Sequence, residues 1–308
     1  MSETKATPPP QPYMVSIGMP VYNAEAFIRR AVESILAQSY PHFELIISDN
    51  ASTDRTGEIC QEYSARDHRI RYVRQKSNMG ATANFKFVLD AAQHDRFIWA
   101  AADDWWDLGR LQLLVSALKG DDAAVVGSVR RYVAGEPYAE YVPMSFTKRG
   151  WWKYLMREES RCEKVYFIYG LTWRKWAVEA FDSKGMGYWG ADAIYCYRLL
   201  WMGNLKSISS GTLHVNSRST SEGGLQAKEF RYSLARLVYR AHPWDYYARY
   251  LKATPSSHKG WILLAIIVKA MVSQAHLWWR AFRRMVLRKP YVHGALPGGE
   301  RRVIESGL

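Results

Sequence analysis

The chain has 308 residues, 48% of them hydrophobic, with 13 tryptophans, 20 tyrosines and a formal net charge of +13. This is enough apolar material for one large domain with an appendage or for two domains, which excludes a disordered chain. The positive balance asks for an anionic partner: a nucleotide diphosphate, a lipid phosphate, an anionic bilayer or a nucleic acid.

Nucleic acid has only charge behind it, because no zinc-finger spacing, RNP-type aromatic signature or basic heptad region is present. Cys60, Cys162 and Cys196 are odd in number and form no CxxC pair. They read as reduced, buried thiols of a cytosolic protein.

Residues 1–13 carry no apolar signal segment and read as a disordered, proline-rich leader. From Met14 to about Val133, β-branched runs (VSIGM, FELIISD, IRYVRQ, RFIWAAA) alternate with amphipathic stretches (NAEAFIRRAVESILAQ, TDRTGEICQEYSA, ATANFKFVLDAAQ). That rhythm predicts an α/β domain, a mostly parallel sheet flanked by helices. Tyr22 and Asn23, Asp49 and Asn50, and Asp103 and Asp104 each follow a predicted strand, so they should meet in one crevice at the carboxyl edge. From about Ala134 the pattern loosens into a linker with Gly135 and Pro137, a Trp151–Trp152 pair, a strand-like VYFIYGLTW and a helix from about Ala191 to Met202. After Gly224 the chain reads as helical and basic. WILLAIIV is only eight apolar residues before Lys269, Gln274 and His276 intervene, short of a membrane span. The Trp261–Lys289 stretch has the composition of a helix lying in a headgroup layer, with a helix packed on protein as the alternative.

Each polar cluster has its own chemistry. Asp49 ends a strand, where a carboxylate needs a partner such as a base imide or a ribose hydroxyl. Tyr22 can stack on a base or ribose beside Pro20 and Asn23, although a surface loop with an Asn cap would look the same. Asp54 reads as a helix cap. Asn78 and Gly80 open a helix whose free N–H groups suit a phosphate, or they form an ordinary turn. Adjacent carboxylates at Asp103 and Asp104 repel each other, and a hard divalent cation, Mn2+ or Mg2+, would relieve them; a solvated acidic turn is the other reading. Asp192 begins a helix, as a general base or a plain cap.

The segment VSIGMPVYNAEAFIRRAVESILAQSYPHFELIISDNASTDRT, continued by NMGATAN, WAAADDWW, GADAIYCYRLLWMG and LHVNSRSTS, resembles family 2 of the GT-A glycosyltransferases over roughly residues 14 to 220. The resemblance implies a GT-A, Rossmann-like catalytic domain at 14–222 and leaves 223–308 as a basic, amphipathic helical extension. It implies inverting transfer of a sugar from a nucleotide-diphosphate donor, with a UDP-sugar suggested by Asp49. Pro20, Tyr22, Asn23, Asp49, Asn78, Gly80 and Asp103 would bind the nucleotide, Asp104 and His214 the metal, and Asp192 would be the base. Arg218 and Ser219 would meet the diphosphate or the acceptor.

Two departures stand out: Ala101 or Ala102 replaces the first acid of the metal motif, and Ala191 replaces the acid before Asp192. The absence of a QxxRW motif points to transfer of a single sugar. Trp105, Trp106, Trp151, Trp152, Tyr188 and Trp189 are candidates for an acceptor cleft. The expected acceptor is a saccharide or lipid-linked molecule, the expected location the cytoplasm, peripheral on the inner face of the membrane. A nucleotidyltransferase is disfavoured by the loop GMPVYNAE, which has no Gly-rich Arg/Lys loop. A catalytically silent nucleotide-sugar or membrane-binding scaffold of the same fold is the other competing reading.

Overall fold

The computed structural model describes residues 13–156, 162–181, 191–216, 244–269 and 271. Strands β1 (Val15–Val21), β2 (Phe43–Asp49), β3 (Ile70–Arg74) and β4 (Arg96–Trp99) run parallel, linked by helices α1 (Ile28–Leu36), α2 (Thr56–Arg66) and α3 (Ala81–Ala91). β1 is buried along its length except at half-buried Pro20, as a strand covered on both faces must be. Pro20 costs the ladder little, because β4 pairs with β1 only as far as Gly18 opposite Trp99. In α1 the apolar stripe Ile28, Ala31, Val32 and Ile35 is buried and Arg29 and Arg30 face water, the 3.6-residue period read from the sequence.

The chain continues through β5 (Trp105–Trp106), α4 (Arg110–Ala117), β6 (Asp122–Val126), β7 (Val129–Val133), β8 (Glu136–Tyr141), α5 (Trp151–Met156), β9 (Leu171–Trp173), α6 (Arg174–Ala180), α7 (Ala191–Met202), β10 (Asn204–Ser207), β11 (Leu213–Asn216) and α8 (Trp244–Ala253). The main sheet has the order β10-β6-β9-β4-β1-β2-β3, with β9 its antiparallel member. A second, four-stranded sheet has the order β5-β11-β7-β8. The expected mostly parallel α/β architecture is therefore present. Val21 pairs with Asp49 and Asp49 with Arg74, and the loop after β4 carries Asp103 and Asp104, so the three polar clusters lie at one edge of the sheet.

Two local expectations are corrected. The stretch around Gly135 and Pro137 is a β-hairpin and not a linker: Ala134 (φ 56°) and Gly135 (φ 89°) both take positive φ, as a two-residue hairpin turn demands. The apolar run before Gly170 is not a strand but a 3₁₀ helix, Cys162–Tyr169, and only Leu171–Trp173 is extended. A short apolar run fits either period, and the unbroken burial of Tyr166, Phe167 and Ile168 shows that packing on all sides, not an exposed face, decides the conformation here.

α7 spans the expected Ala191–Met202. α8 packs on it through Tyr250 against Tyr197 (4.8 Å between rings) and a Tyr197–Thr254 hydroxyl hydrogen bond of 3.1 Å. Residues 259–269 and 271 are helical, and no helix among the described residues is long and apolar enough to cross a membrane. The leader up to residue 12, Tyr188, Trp189, Arg218, Ser219, the part of the expected helical region up to residue 243 and residues 272–308 lie outside the described residues, whereas Trp244–Ala253 and 259–269 are helical as expected.

Candidate active site

The loop after β1 is stitched to the loop after β2. Asn23, in the left-handed region at φ 47°, donates its N–H to Ser52 Oγ (3.0 Å) and accepts from the Thr53 N–H through Oδ1 (2.8 Å). The Ala24 N–H donates to Thr56 Oγ1 (2.8 Å). Asp54 accepts from the N–H groups of Thr56 (3.0 Å), at the start of α2, and Glu25 (3.1 Å), so its carboxylate ties that helix start to the loop after β1, while the N-cap position expected of it is held by Arg55. The Asn23 side chain therefore holds the two loops together, while half-buried Tyr22 and Pro20 lie on the neighbouring surface.

Asp49 is fully buried, and three groups satisfy it: the Ser52 N–H on Oδ1 (2.8 Å), and the Tyr72 hydroxyl (2.9 Å) and Arg74 Nη1 (2.7 Å) on Oδ2. Arg74 also donates to the Ser52 carbonyl (2.7 Å) and is 47% exposed. The carboxylate thus acts on its surroundings through Arg74, which is exposed, and Tyr72, which is half-buried. Tyr72 and Arg74 alternate along β3 beside Asp49, a period-2 signal that the sequence reading passed over.

Asn50 ties in the next element: its Nδ2 donates to Asn78 Oδ1 (2.8 Å), and its Oδ1 accepts from the Met79 N–H (2.8 Å). Asn78 Oδ1 also accepts from the Gly80 N–H (2.9 Å), and Gly80 opens α3 at φ 84°, which favours glycine. One hydrogen-bonded cradle therefore unites Asn23, Asp49, Asn50, Asn78 and Gly80.

Asp104 is buried and accepts from the Asn216 N–H at 3.0 Å. Burial and the neighbouring Asp103 push its carboxyl well above the usual carboxylate range, opposed by the Asn216 N–H and the Arg110 charge. Arg110 is fully buried, donating to the carbonyls of Gly211 (2.6 Å) and Tyr169 (2.9 Å), and burial pulls it down to about 9 against the charges of Asp107 and Asp104. Asp192 lies in the first turn of α7, and the position before it is filled by buried Ala191. The Asp192 side chain is exposed to solvent, yet desolvation by the protein around it raises its carboxyl above the ordinary aspartate value. The Tyr169 phenol, raised first by burial, also feels Asp104, Asp192 and Asp103.

A profile of glycosyl transferase family 2 matches residues 16–175, just over half the chain and the whole of the cradle. The chain belongs to glycosyl transferase family 2. Among curated relatives of this family 2 chain, the putative teichuronic acid biosynthesis glycosyltransferase TuaG of Bacillus subtilis is 39% identical over 99 residues, 32% of this chain and 39% of TuaG. Glycosyltransferase GlyG of Streptococcus pneumoniae is 30% identical over 113 residues, 37% of this chain and 38% of GlyG. The matched segments thus span under two fifths of these relatives. Among solved structures, residues 1–349 of Staphylococcus aureus TarS in complex with UDP superpose with a TM-score of 0.55 at 14% identity, covering 94% of this chain and 96% of that one. The mannosyltransferase PcManGT of Pyrobaculum calidifontis, in complex with GDP-Man and Mn2+, gives 0.56 at 16% identity, covering 92% and 76%. At these identities the likeness shows a shared GT-A fold.

His214 of this family 2 chain is placed differently from its expected role as a metal ligand. Its Nε2 lies 2.7 Å from Asp107 Oδ1, its Nδ1 lies 3.0 Å from the Tyr132 hydroxyl, and its ring stacks on Trp105 at 5.1 Å, with the Arg30 guanidinium 3.2 Å from the Trp105 ring centre. Both ring nitrogens are occupied, and burial lowers the imidazole's pKa against the pull of Asp107. β11 meets Asp104 through Asn216 instead. Among the described residues no group of three or more His, Cys, Asp or Glu is arranged around a metal position. Two adjacent carboxylates, one deeply desolvated, nevertheless fit Mg2+ or Mn2+, which bind through one or two carboxylates and complete their shell with water and substrate phosphates.

Proposed function

We propose that this chain is an inverting, metal-dependent glycosyltransferase that moves a single sugar from a nucleotide-diphosphate donor, a UDP-sugar, to an acceptor hydroxyl in membrane-associated glycan assembly. The observation that carries the reading is the hydrogen-bonded cradle of Asn23, Asp49, Asn50, Asn78 and Gly80 at the carboxyl edge of the sheet, with buried Asp104 on the loop that follows β4 at the same edge. Family membership and the UDP and GDP-Man complexes of structural relatives support it.

In this reading the cradle of Tyr22, Asp49, Arg74, Asn78 and Gly80 holds the nucleoside, with the open N-terminus of α3 toward a phosphate or ribose oxygen. Asp104 would hold Mn2+ or Mg2+, which supplies charge neutralisation for the departing diphosphate, with Asp103 beside it toward the ribose of the nucleotide. Asp192 takes the proton of the acceptor hydroxyl as that oxygen attacks the anomeric carbon from the face opposite the diphosphate. The bond between that carbon and the diphosphate oxygen breaks, and the configuration inverts. A carboxylate with a raised pKa suits the role, being a stronger base than an ordinary aspartate. The enzyme would act in the cytoplasm, peripheral on the inner face of the membrane.

The test is calorimetric titration of UDP and GDP into wild type and Asp104→Ala, each with Mn2+ and with chelator. Metal-dependent binding of UDP that weakens at least tenfold in the variant is expected. Absence of binding by either nucleotide under both conditions would overturn the reading.

A further inference from the structure

The helix at 259–271 has two unlike sides. Ile262, Ile266 and Lys269 are buried against the domain, and the Lys269 ammonium donates to the Leu155 carbonyl beside the Tyr247 ring. Trp261, Leu263, Leu264, Ile267, Val268 and Met271 are 42–68% exposed. At 100° per residue these six fill one unbroken arc, roughly half the helix circumference. Single exposed apolar residues are ordinary on a soluble surface, but a continuous apolar helix face marks something that covers it.

Charge indicates what covers it. From Tyr246 to Gly299 the sequence holds nine Lys or Arg and not one Asp or Glu. α5, which meets this helix at Leu155, follows Lys148 and Arg149 and carries exposed Trp152 and Lys153, and residues 142–156 also lack any acid. An apolar face that begins at Trp261, on a domain surface that also exposes Trp152, Lys148, Arg149, Lys153, Lys252 and Lys259, matches an anionic headgroup layer, where the rings and aliphatic faces sink and the cations stay at the phosphates.

The packing also orients the domain. His258, just before the helix, lies against Trp201 at the end of α7 (5.0 Å between rings). Eleven residues later Lys269 reaches Leu155, whose neighbour Tyr154 donates its hydroxyl to the Ala193 carbonyl in the first turn of α7 (2.8 Å). The helix therefore runs alongside α7 from its end back toward the turn that carries Asp192.

We propose that the exposed face of helix 259–271 docks on an anionic lipid bilayer, with α7, which carries Asp192, lying alongside on the domain side. That the acceptor is met there, as a lipid-anchored saccharide, rests on the sugar-transfer reading; the docking itself does not.

Full-length wild type and Leu264→Glu/Ile267→Glu, both changes on the exposed arc, are floated with phosphatidylcholine vesicles with and without phosphatidylglycerol. Circular dichroism, chromatographic mass and UDP titration are recorded on the same samples. Wild type is expected to float with the anionic vesicles, and the variant at least tenfold less, with fold and nucleotide binding unchanged. The proposal is overturned by wild type that stays unbound, by a variant that floats as well as wild type, or by self-association that the variant loses while vesicle binding is absent, which would assign the face to a second copy. Nucleotide binding lost in both proteins would count against the transferase reading alone.

Discussion

Alanine at Gly57 tests the Asp49 cluster most directly. An added Cβ there would stand 2.6 Å from Arg74 Nη1 and 3.1 Å from both Asp49 Oδ2 and the Tyr72 hydroxyl. The guanidinium is the flexible member, so it would leave and give up its bonds to Asp49 and the Ser52 carbonyl. A hydrogen bond to a charged group contributes about 1.5–3 kcal/mol when protected, and because Arg74 is half exposed we discount the pair to about 1–2 kcal/mol. Alanine in a helix recovers up to about 1 kcal/mol relative to glycine. Gly57→Ala should therefore cost about 1 kcal/mol in the wild type. In an Arg74→Ala background the clash with the guanidinium is gone and only the 3.1 Å contacts to Asp49 Oδ2 and the Tyr72 hydroxyl remain, so the same change should cost less than in the wild type. Urea denaturation of the wild type, both single variants and the double variant measures this coupling, expected at about 1–2 kcal/mol. Costs that add within about 0.4 kcal/mol would refute the reasoning, because Gly57 and Arg74 would then not share the space.

Arg110→Met should be among the most damaging single changes. It strips the donor from two carbonyls and the cation from the Asp104 and Asp107 neighbourhood, for about 3 kcal/mol, the lower end for a buried ion because the Arg110 Nε already lacks a partner. An unchanged urea midpoint would show that Arg110 bears no such role. Asp192→Asn should lower kcat by about a hundredfold or more while UDP titration stays as in wild type. The wild-type pH profile carries its own sign: only the carboxylate accepts a proton and its pKa is raised, so kcat should fall as pH drops through a value above 3.8. An acid limb below that value would exclude Asp192 as the base.

The periodic segments and their polar ends were readable from the sequence because they are local. Ile28, Ala31, Val32 and Ile35 state a helix face within eight residues, and FELIISD states both a buried strand and the aspartate at its end. The sequence alone thus determined a mostly parallel sheet with Asp49, Asp103 and Asp104 along its carboxyl edge. Tertiary structure decided which groups these residues meet. Asp49 takes Arg74, 25 positions on, which falls opposite it only when β3 pairs with β2 in this register. His214 is turned to Asp107 and Tyr132 by the pairing of β11 with β5 and β7, across 107 and 82 residues, and that same pairing sets Asn216 against Asp104. The 3₁₀ helix before Gly170 and the hairpin at Gly135 were ambiguous because short runs fit more than one period until packing selects one. Hydrophobic periodicity is written into a dozen neighbouring residues, whereas a polar side chain's partner depends on strand register and on elements far along the chain, which no local window contains.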